Sequence, residues 1–283
     1  FRRDGYTDYV AFAVQFGSGT RNALTISTRA PRGFSPAHLA LVRAILPLVA
    51  MVFEIHSGRR IAEAVLDTYV GKLAARRILN GEIRRGQGER LNAVIWFADL
   101  RGFTAFSDLR PTGEVIAALN EFFDALAGAV EPRGGQILKF MGDGLLAIFP
   151  IAESPAAARS TATGAPEACE RAISAAKMAA ERIRTVNEQH PDLPALRFGI
   201  GLHRGTVTYG NIGIPQRLEF TVIGPAANET ARIESMTKEL GRTLLASAAF
   251  AASYAGILAP AGRHRLKGVK GEHELFTLPE ASS

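Results

Sequence analysis

Apolar and polar positions alternate near the start of the chain in a pattern that predicts two strands followed by a helix. The segments YVAFAVQF and ALTIS flank the turn Gly17-Ser18-Gly19, which indicates a β-hairpin. The apolar stretch from Pro36 to His56 then predicts a helix. From Ile61 to Leu73 apolar residues recur every fourth position, which indicates a second helical stripe that would pack against a neighbouring domain or its twin in a dimer.

The glycine-rich segment GEIRRGQGER, which follows the expected helix stop at Gly81, marks a domain boundary. We interpret residues 57–90 as a helical linker and residues 91–283 as the main domain. Residues 1–56 are too few to bury a full core alone. We interpret them as a partial sensor-type segment, faintly similar to GAF or PAS modules.

The order of predicted elements after residue 91 is β-α-β-β-α-β. It predicts an α+β fold with a ferredoxin-like core, in which a mixed, mainly antiparallel sheet carries helices on one face. The low-complexity segment 153–166 is expected to be an exposed loop. The elements are a strand at 92–98, a helical region to 131, a hairpin at 136–149, a helix at 166–189, strands at 196–203 and 206–210, a helix at 225–240 and a strand pair within 257–278.

Composition narrows the class of partner. A net charge of +6 and a pI near 9.8 favour an anionic partner, such as nucleic acid, acidic lipid or a polyphosphate ligand. No aromatic residues interleave with the basic ones, so nucleic acid is not expected. Cys169 is the only cysteine, which excludes an intrachain disulfide. The apolar run Ala44 to Phe53 contains Pro47 and looks too short to cross a bilayer, so we expect a cytoplasmic fragment of a longer protein, without a membrane span.

Two aspartates stand where predicted strands end. Asp99 follows the apolar run VIWFA, and Asp143 occupies the turn of the hairpin 136–149, which must pair beside that strand. Paired carboxylates suit Mg²⁺ or Mn²⁺, and two such ions can organise phosphoryl transfer. Each aspartate also has a simpler interpretation: Asp143 precedes Gly144 as in a hairpin turn, and Asp99 could cap the next helix.

A second polar pair lies in VIGPAANETAR. Asn228 and Arg232 are four residues apart on a predicted helix and therefore share a face. An arginine there could bind phosphate and an asparagine could orient a hydroxyl, although both could also form a solvated face.

The three motifs VIWFADLRGFTAFSD, LKFMGDGLLAIF and VIGPAANETAR, in this order and spacing, resemble the catalytic domain of class III nucleotidyl cyclases over residues 91–278. The resemblance implies a homodimer with composite sites and two Mg²⁺ or Mn²⁺ ions per site. It implies that Asp99, Asp143 and the Leu100 carbonyl bind the metals, while Asn228 and Arg232 come from the partner protomer.

The resemblance also assigns the nucleotide contacts. It implies that Lys139 and Thr221 select the base, and the lysine matches adenylate rather than guanylate cyclases, because an ammonium can donate to adenine N1. Without the family, Lys139 would be an ordinary strand lysine. Thr221 resembles a subgroup that is often stimulated by bicarbonate. The implied phosphate ligand is Lys267, with Lys270 as the alternative, and the further substrate contacts are Phe103 and Thr104.

The function that the resemblance implies is an adenylate cyclase. It would convert ATP to 3′,5′-cyclic AMP and pyrophosphate by metal-assisted attack of the 3′-hydroxyl on the α-phosphate. The alternatives are a guanylate cyclase and a module that binds nucleotide and signals without turnover.

Overall fold

The computed structural model describes residues 1–152, 164–191 and 194–279, and it divides the chain into two compact units, Phe1–Tyr69 and Val70–Ser283. The expected loop at 153–166 falls mostly outside the described residues.

The first unit contains the predicted hairpin and one long helix. Strands β1 (Asp8–Gln15) and β2 (Arg21–Thr28) pair in antiparallel register, which confirms the hairpin. The Glu54 carboxylate on helix α1 (Pro36–Val70) accepts hydrogen bonds from the backbone N–H groups of Gly17 (2.8 Å) and Ser18 (3.0 Å). The hairpin turn is therefore fixed to the helix, while the sensor-type interpretation stays a prediction.

Helix α1 is longer than the sequence pattern predicted. It runs without a break past both Pro47 and His56, and the chain leaves it only at Gly71, whose φ of 81° is unfavourable for a side chain. Helix α2 (Lys72–Leu79) follows. The sequence pattern predicted this helix only to His56, and that bound was wrong. Among the described residues α1 alone is long and apolar enough to cross a membrane, and these two properties by themselves are weak support for a span.

The second unit is built on an eight-stranded sheet with helices packed against it. Its elements are β3 (Gly88–Leu100), α3 (Phe103–Leu109), α4 (Thr112–Val130), β4 (Gln136–Met141), β5 (Gly144–Ile151), α5 (Ala165–Gln189), β6 (Phe198–Ile214), β7 (Arg217–Ile223), α6 (Pro225–Glu239), β8 (Leu244–Ser247), α7 (Ala248–Ala251), β9 (Ala259–Arg265) and β10 (Glu272–Thr277). The strand order is β4-β5-β3-β6-β8-β10-β9, with β7 paired to β6. All pairings are antiparallel except the parallel pair β6–β8, which confirms the mixed, mainly antiparallel α+β fold.

Helices cover both faces of this sheet, not one face as the element order suggested. Successive side chains of a strand point to opposite faces, so Trp96 packs in the core formed with α4 and α5, while Ile95 packs in the core on the other side. Helix α6 lies on that other side, close against β6: a Cβ on Gly201 would come within 2.6 Å of the Thr230 carbonyl oxygen. Glycine at this position is required by the close packing of helix and strand.

Strand β6 is one continuous strand where the sequence predicted two. The predicted break at residues 204 and 205 is absent, and a Cβ on Gly205 would come within 2.6 Å of the Ala226 Cβ, so this glycine makes room for α6. Strands β7 and β8 and the short helix α7 were not predicted from the sequence.

Candidate functional site

Asp99 and Asp143 converge at one end of the sheet. Asp99 is paired with Gly144 on β5 and with Gly199 on β6, so Asp143 in the β4–β5 turn is one residue away from the paired position. The backbone N–H of Leu100 donates to the Asp143 carbonyl at 3.2 Å. The antiparallel pairing of β3 with β5 brings the two carboxylates together, as the sequence predicted.

The two aspartates are electrostatically coupled. Burial raises the pKa of Asp99 to about 6, and the negative charge of Asp143 adds to that rise. A carboxylate whose proton affinity is raised by burial and by a neighbouring negative charge lies in a site whose charge a divalent cation would compensate.

A third carboxylate, Glu234 on α6, lies behind this pair. Burial raises the pKa of Glu234 to about 7, and the charge of Asp99 raises it further, while a 3.4 Å hydrogen bond from Thr237 acts in the opposite direction. The guanidinium of Arg101 donates to the carbonyl oxygens of Thr237 (3.1 Å) and Arg242, which anchors the residues after β3 to the end of α6. Glu234 was not predicted from the sequence, although its helical spacing places it beside buried residues.

The donor set suits a hard divalent cation. Within the described part of the chain no three histidine, cysteine or acidic side chains are grouped so as to hold a metal by themselves. Mg²⁺ is commonly held by one or two carboxylates and completed by water and substrate phosphates. Asp99 and Asp143, with the carbonyl of Leu100, therefore fit an ion bound together with a nucleotide.

Asn228 and Arg232 lie on the exposed side of α6. Both are exposed, whereas Ile233 and Glu234 on the same helix are buried. No carboxylate among the described residues forms an ion pair with Arg232. The two side chains therefore share a solvent-facing surface, as their spacing predicted.

Lys139 forms an ion pair with a residue on the strand of Thr221, and this residue was not predicted from the sequence. The Lys139 ammonium donates to the Glu219 carboxylate at 2.9 Å, and Glu219 is two residues before Thr221 on β7. Thr221 is buried, and its hydroxyl has no hydrogen-bond partner among the residues that the structure describes. A buried hydroxyl without a partner is costly, and a ligand could satisfy it.

The other predicted contact residues lie in two separate elements, the β9–β10 turn and helix α3. Lys267 and Lys270 are both exposed in the β9–β10 turn, and the structure does not distinguish between them. Phe103 at the start of α3 packs against the core and against Phe106. Thr104 is exposed, and its carbonyl accepts a hydrogen bond from the Ser107 hydroxyl at 2.8 Å.

A histidine cluster, buried at His203 and half-buried at Glu229 and His273, lies beside Asn228 and was also missed. One carboxylate oxygen of Glu229 is 3.7 Å from Nδ1 of His203 and 3.4 Å from Nδ1 of His273. The same nitrogen of His203 is 2.9 Å from the Ser247 hydroxyl. Burial lowers the pKa of His203, and the Glu229 charge opposes that effect. The cluster connects α6 to β6 and β10.

The chain is similar to cyclases in sequence. The family model described as the adenylate and guanylate cyclase catalytic domain matches residues 88–279. An adenylate cyclase of Anabaena cylindrica is 31% identical over 187 residues, which cover 64% of this chain and 34% of that protein. Adenylate cyclase 1 of Rhizobium meliloti (strain 1021) is 31% identical over 207 residues, or 71% of this chain and 29% of that protein. The chain therefore spans about a third of the length of these relatives.

Solved structures of both kinds of cyclase share the fold. A bacterial light-regulated adenylyl cyclase has a TM-score of 0.63 at 23% identity, with 83% of this chain and 65% of that chain covered. The guanylyl cyclase Cya2 has a TM-score of 0.56 at 31% identity, with 68% of this chain and 95% of that chain covered. With a family match that covers more than half of its residues, the chain belongs to the class III nucleotidyl cyclases, whose adenylate and guanylate cyclase catalytic domain it contains.

Proposed function

We propose that the chain is an adenylate cyclase that forms 3′,5′-cyclic AMP and pyrophosphate from ATP in a homodimer with composite sites. The observation that carries the proposal is the convergence of Asp99 and Asp143 in a fold whose base-selecting position holds Lys139. The relatives named as adenylate cyclases agree with this choice.

Adenine recognition is supported by the polar groups on β4 and β7. The ammonium of Lys139 is a pure donor and suits N1 of adenine, which is an acceptor. The buried Thr221 hydroxyl, which has no partner within the described ranges, can accept from the adenine amino group. Guanine would present N1–H to Lys139, which has no acceptor, so ATP is favoured over GTP.

The reaction we propose is an in-line displacement within one nucleotide. The 3′-hydroxyl oxygen forms a bond to the α-phosphorus, and the bond from that phosphorus to the bridging oxygen of pyrophosphate breaks. When bound between Asp99 and Asp143, two Mg²⁺ or Mn²⁺ ions would acidify the attacking hydroxyl and neutralise the leaving pyrophosphate.

The remaining charge is balanced by side chains of the partner protomer. Arg232 can bind the negative charge that develops on the transferring phosphate, and Asn228 can orient the ribose. Either Lys267 or Lys270 supplies a cation for the terminal phosphates. The exposure of all four residues agrees with a site that is completed by a second copy of the chain.

The experiment that tests the proposal is a product assay on the purified chain. ATP or GTP is supplied with Mg²⁺ or Mn²⁺, and the cyclic nucleotide is identified by mass spectrometry. We expect cyclic AMP from the native chain and none from Asp143→Ala. Cyclic GMP as the sole product would establish a guanylate cyclase. No product from a proven dimer would favour the non-catalytic module.

Activation by bicarbonate stays a prediction that rests only on the resemblance of Thr221 to one subgroup. It is tested by adding bicarbonate to the same assay at constant pH. An unchanged turnover rate would end this hypothesis.

A further inference from the structure

The Lys139–Glu219 ion pair joins two strands that are not neighbours in the sheet. Strand β4 pairs only with β5, and β7 pairs only with β6, among the strands that the structure describes. The 2.9 Å contact between the Lys139 ammonium and the Glu219 carboxylate links residues 80 positions apart in the chain. The pair therefore fixes the direction of the lysine side chain relative to β7.

The same face of β7 carries the buried Thr221 hydroxyl. Phe220 and Val222 pack in the core with Tyr209, so the alternation of the strand turns Glu219 and Thr221 to the opposite face. The ion pair thus holds Lys139 on the side of β7 where the hydroxyl without a partner lies. An isolated surface ion pair would carry little meaning, but the buried hydroxyl is an independent indication of a ligand beside it.

We infer that Glu219 is a specificity-determining residue that acts through Lys139, and this inference rests on the function proposed above. A lysine ammonium sits on a flexible stem with many rotamers, and it has three donors. Glu219 accepts one of them and restricts the stem, so that the remaining donors are available to the base.

The pairing also explains why a carboxylate near the base does not favour GTP. A free glutamate would accept from the N1–H and amino groups of guanine. In the structure the Glu219 carboxylate accepts a hydrogen bond from the Lys139 ammonium, so it is less available to accept one from guanine. Breaking the pair should then weaken ATP recognition without a matching loss for GTP.

The test measures kcat and KM for ATP and GTP in the native chain, Glu219→Gln, Glu219→Asp, Lys139→Met and the double variant Glu219→Gln/Lys139→Met. We expect Glu219→Gln to lower kcat/KM for ATP about tenfold, mainly through KM, with the GTP value little changed. Glu219→Asp should retain most of the preference. In the Lys139→Met background, Glu219→Gln should have no further effect.

Glu114→Gln is the matched control, because it breaks another exposed ion pair, with Arg110 at the start of α4, that involves neither β4 nor β7. It should leave the ATP/GTP ratio unchanged. Thermal melts of every variant identify any loss of folding.

Three results would overturn the inference: an unchanged ratio in Glu219→Gln, an equal loss for both nucleotides, or a loss that persists without Lys139. A selective loss for GTP would show that Glu219 itself contacts the base. A native chain that makes no cyclic AMP contradicts the proposed function instead. In that case equilibrium binding of 3′-deoxy-ATP and 3′-deoxy-GTP measures the same ratio, and an unchanged binding ratio in Glu219→Gln overturns the inference.

Discussion

Gly144 lies directly opposite Asp99 in the β3–β5 pair, and a Cβ on Gly144 would come within 2.9 Å of the Asp99 Oδ1 atom. The glycine therefore leaves the space that the carboxylate occupies. The nearest atom is the end of a side chain, and the nearest backbone atom, the Ala98 carbonyl oxygen, is at 3.2 Å, so an added methyl should move the carboxylate first and need only a small shift of the strand.

Gly144→Ala is accordingly expected to lower cyclase activity about a hundredfold, the scale of loss for a misplaced catalytic group. Its melting temperature should stay near that of the native chain. Gly113→Ala is the control, since a Cβ on Gly113 meets nothing within 4 Å. Full activity in Gly144→Ala would show that the position of Asp99 does not limit the reaction.

The raised pKa of Asp99 predicts how stability depends on pH in the absence of divalent ions. The folded state binds this proton more tightly than the unfolded chain, whose carboxyl has its ordinary pKa of 3.8. The free energy of unfolding should therefore fall as pH rises from about 4 to about 7. Asp143→Asn removes the charge that adds to the rise, so it should raise stability at pH 7.5 by about 1 kcal/mol, after allowance for solvent screening.

Urea unfolding measures this effect through the fluorescence of Trp96, the single tryptophan, which is fully buried in the second unit. Mn²⁺ should raise the stability of the native chain at pH 7.5 and have little effect on Asp143→Asn. If Asp143→Asn is less stable than the native chain at pH 7.5, the two carboxylates do not repel each other as described.

Mixing two inactive variants tests whether the site is shared between protomers. Asp99→Ala and Arg232→Ala should each be inactive alone. In an equal mixture about half of the dimers are mixed, and each has one intact site of two, so about a quarter of the native activity should return. No recovery, with mixed dimers demonstrated by native mass spectrometry, would contradict the assignment of Arg232 to the partner.

Ser247 contacts the buried His203 and caps α7. Its hydroxyl accepts a hydrogen bond from the backbone N–H of Phe250 at 3.2 Å and contacts His203 Nδ1 at 2.9 Å. Ser247→Ala should lower the free energy of unfolding by about 1 to 2 kcal/mol, because it removes a helix cap and leaves a buried group without its partner. Urea unfolding measures the loss.

The control for that change is Ser235→Ala. The Ser235 hydroxyl is exposed and only donates to the Ala231 carbonyl within α6, at 2.9 Å. Its removal should change stability by less than about 0.5 kcal/mol. Equal effects of the two substitutions would mean that the Ser247 hydroxyl contributes nothing beyond an ordinary surface group.

The convergence of Asp99 and Asp143 could be predicted because it depends on local structure. An Asp-Gly turn between two apolar runs predicts a hairpin, and a hairpin beside the first strand brings its turn to that strand's end. The face shared by Asn228 and Arg232 follows in the same way from helical spacing. The lengths of elements were harder to predict. The sequence predicted two strands with a break at residues 204 and 205, whereas β6 is unbroken and Ala226 of α6 packs against Gly205.

The sequence by itself determined the family, the α+β class and the positions of the residues expected to bind metal and nucleotide, because these depend on motifs and on neighbours along the chain. Tertiary structure alone decided what surrounds them. Glu234 lies behind Asp99, Glu219 holds Lys139, and Glu229 connects two histidines. These contacts join residues from elements that are distant in the chain. They depend on how α6, β7 and the sheet pack together, and residue spacing along the chain does not predict that packing.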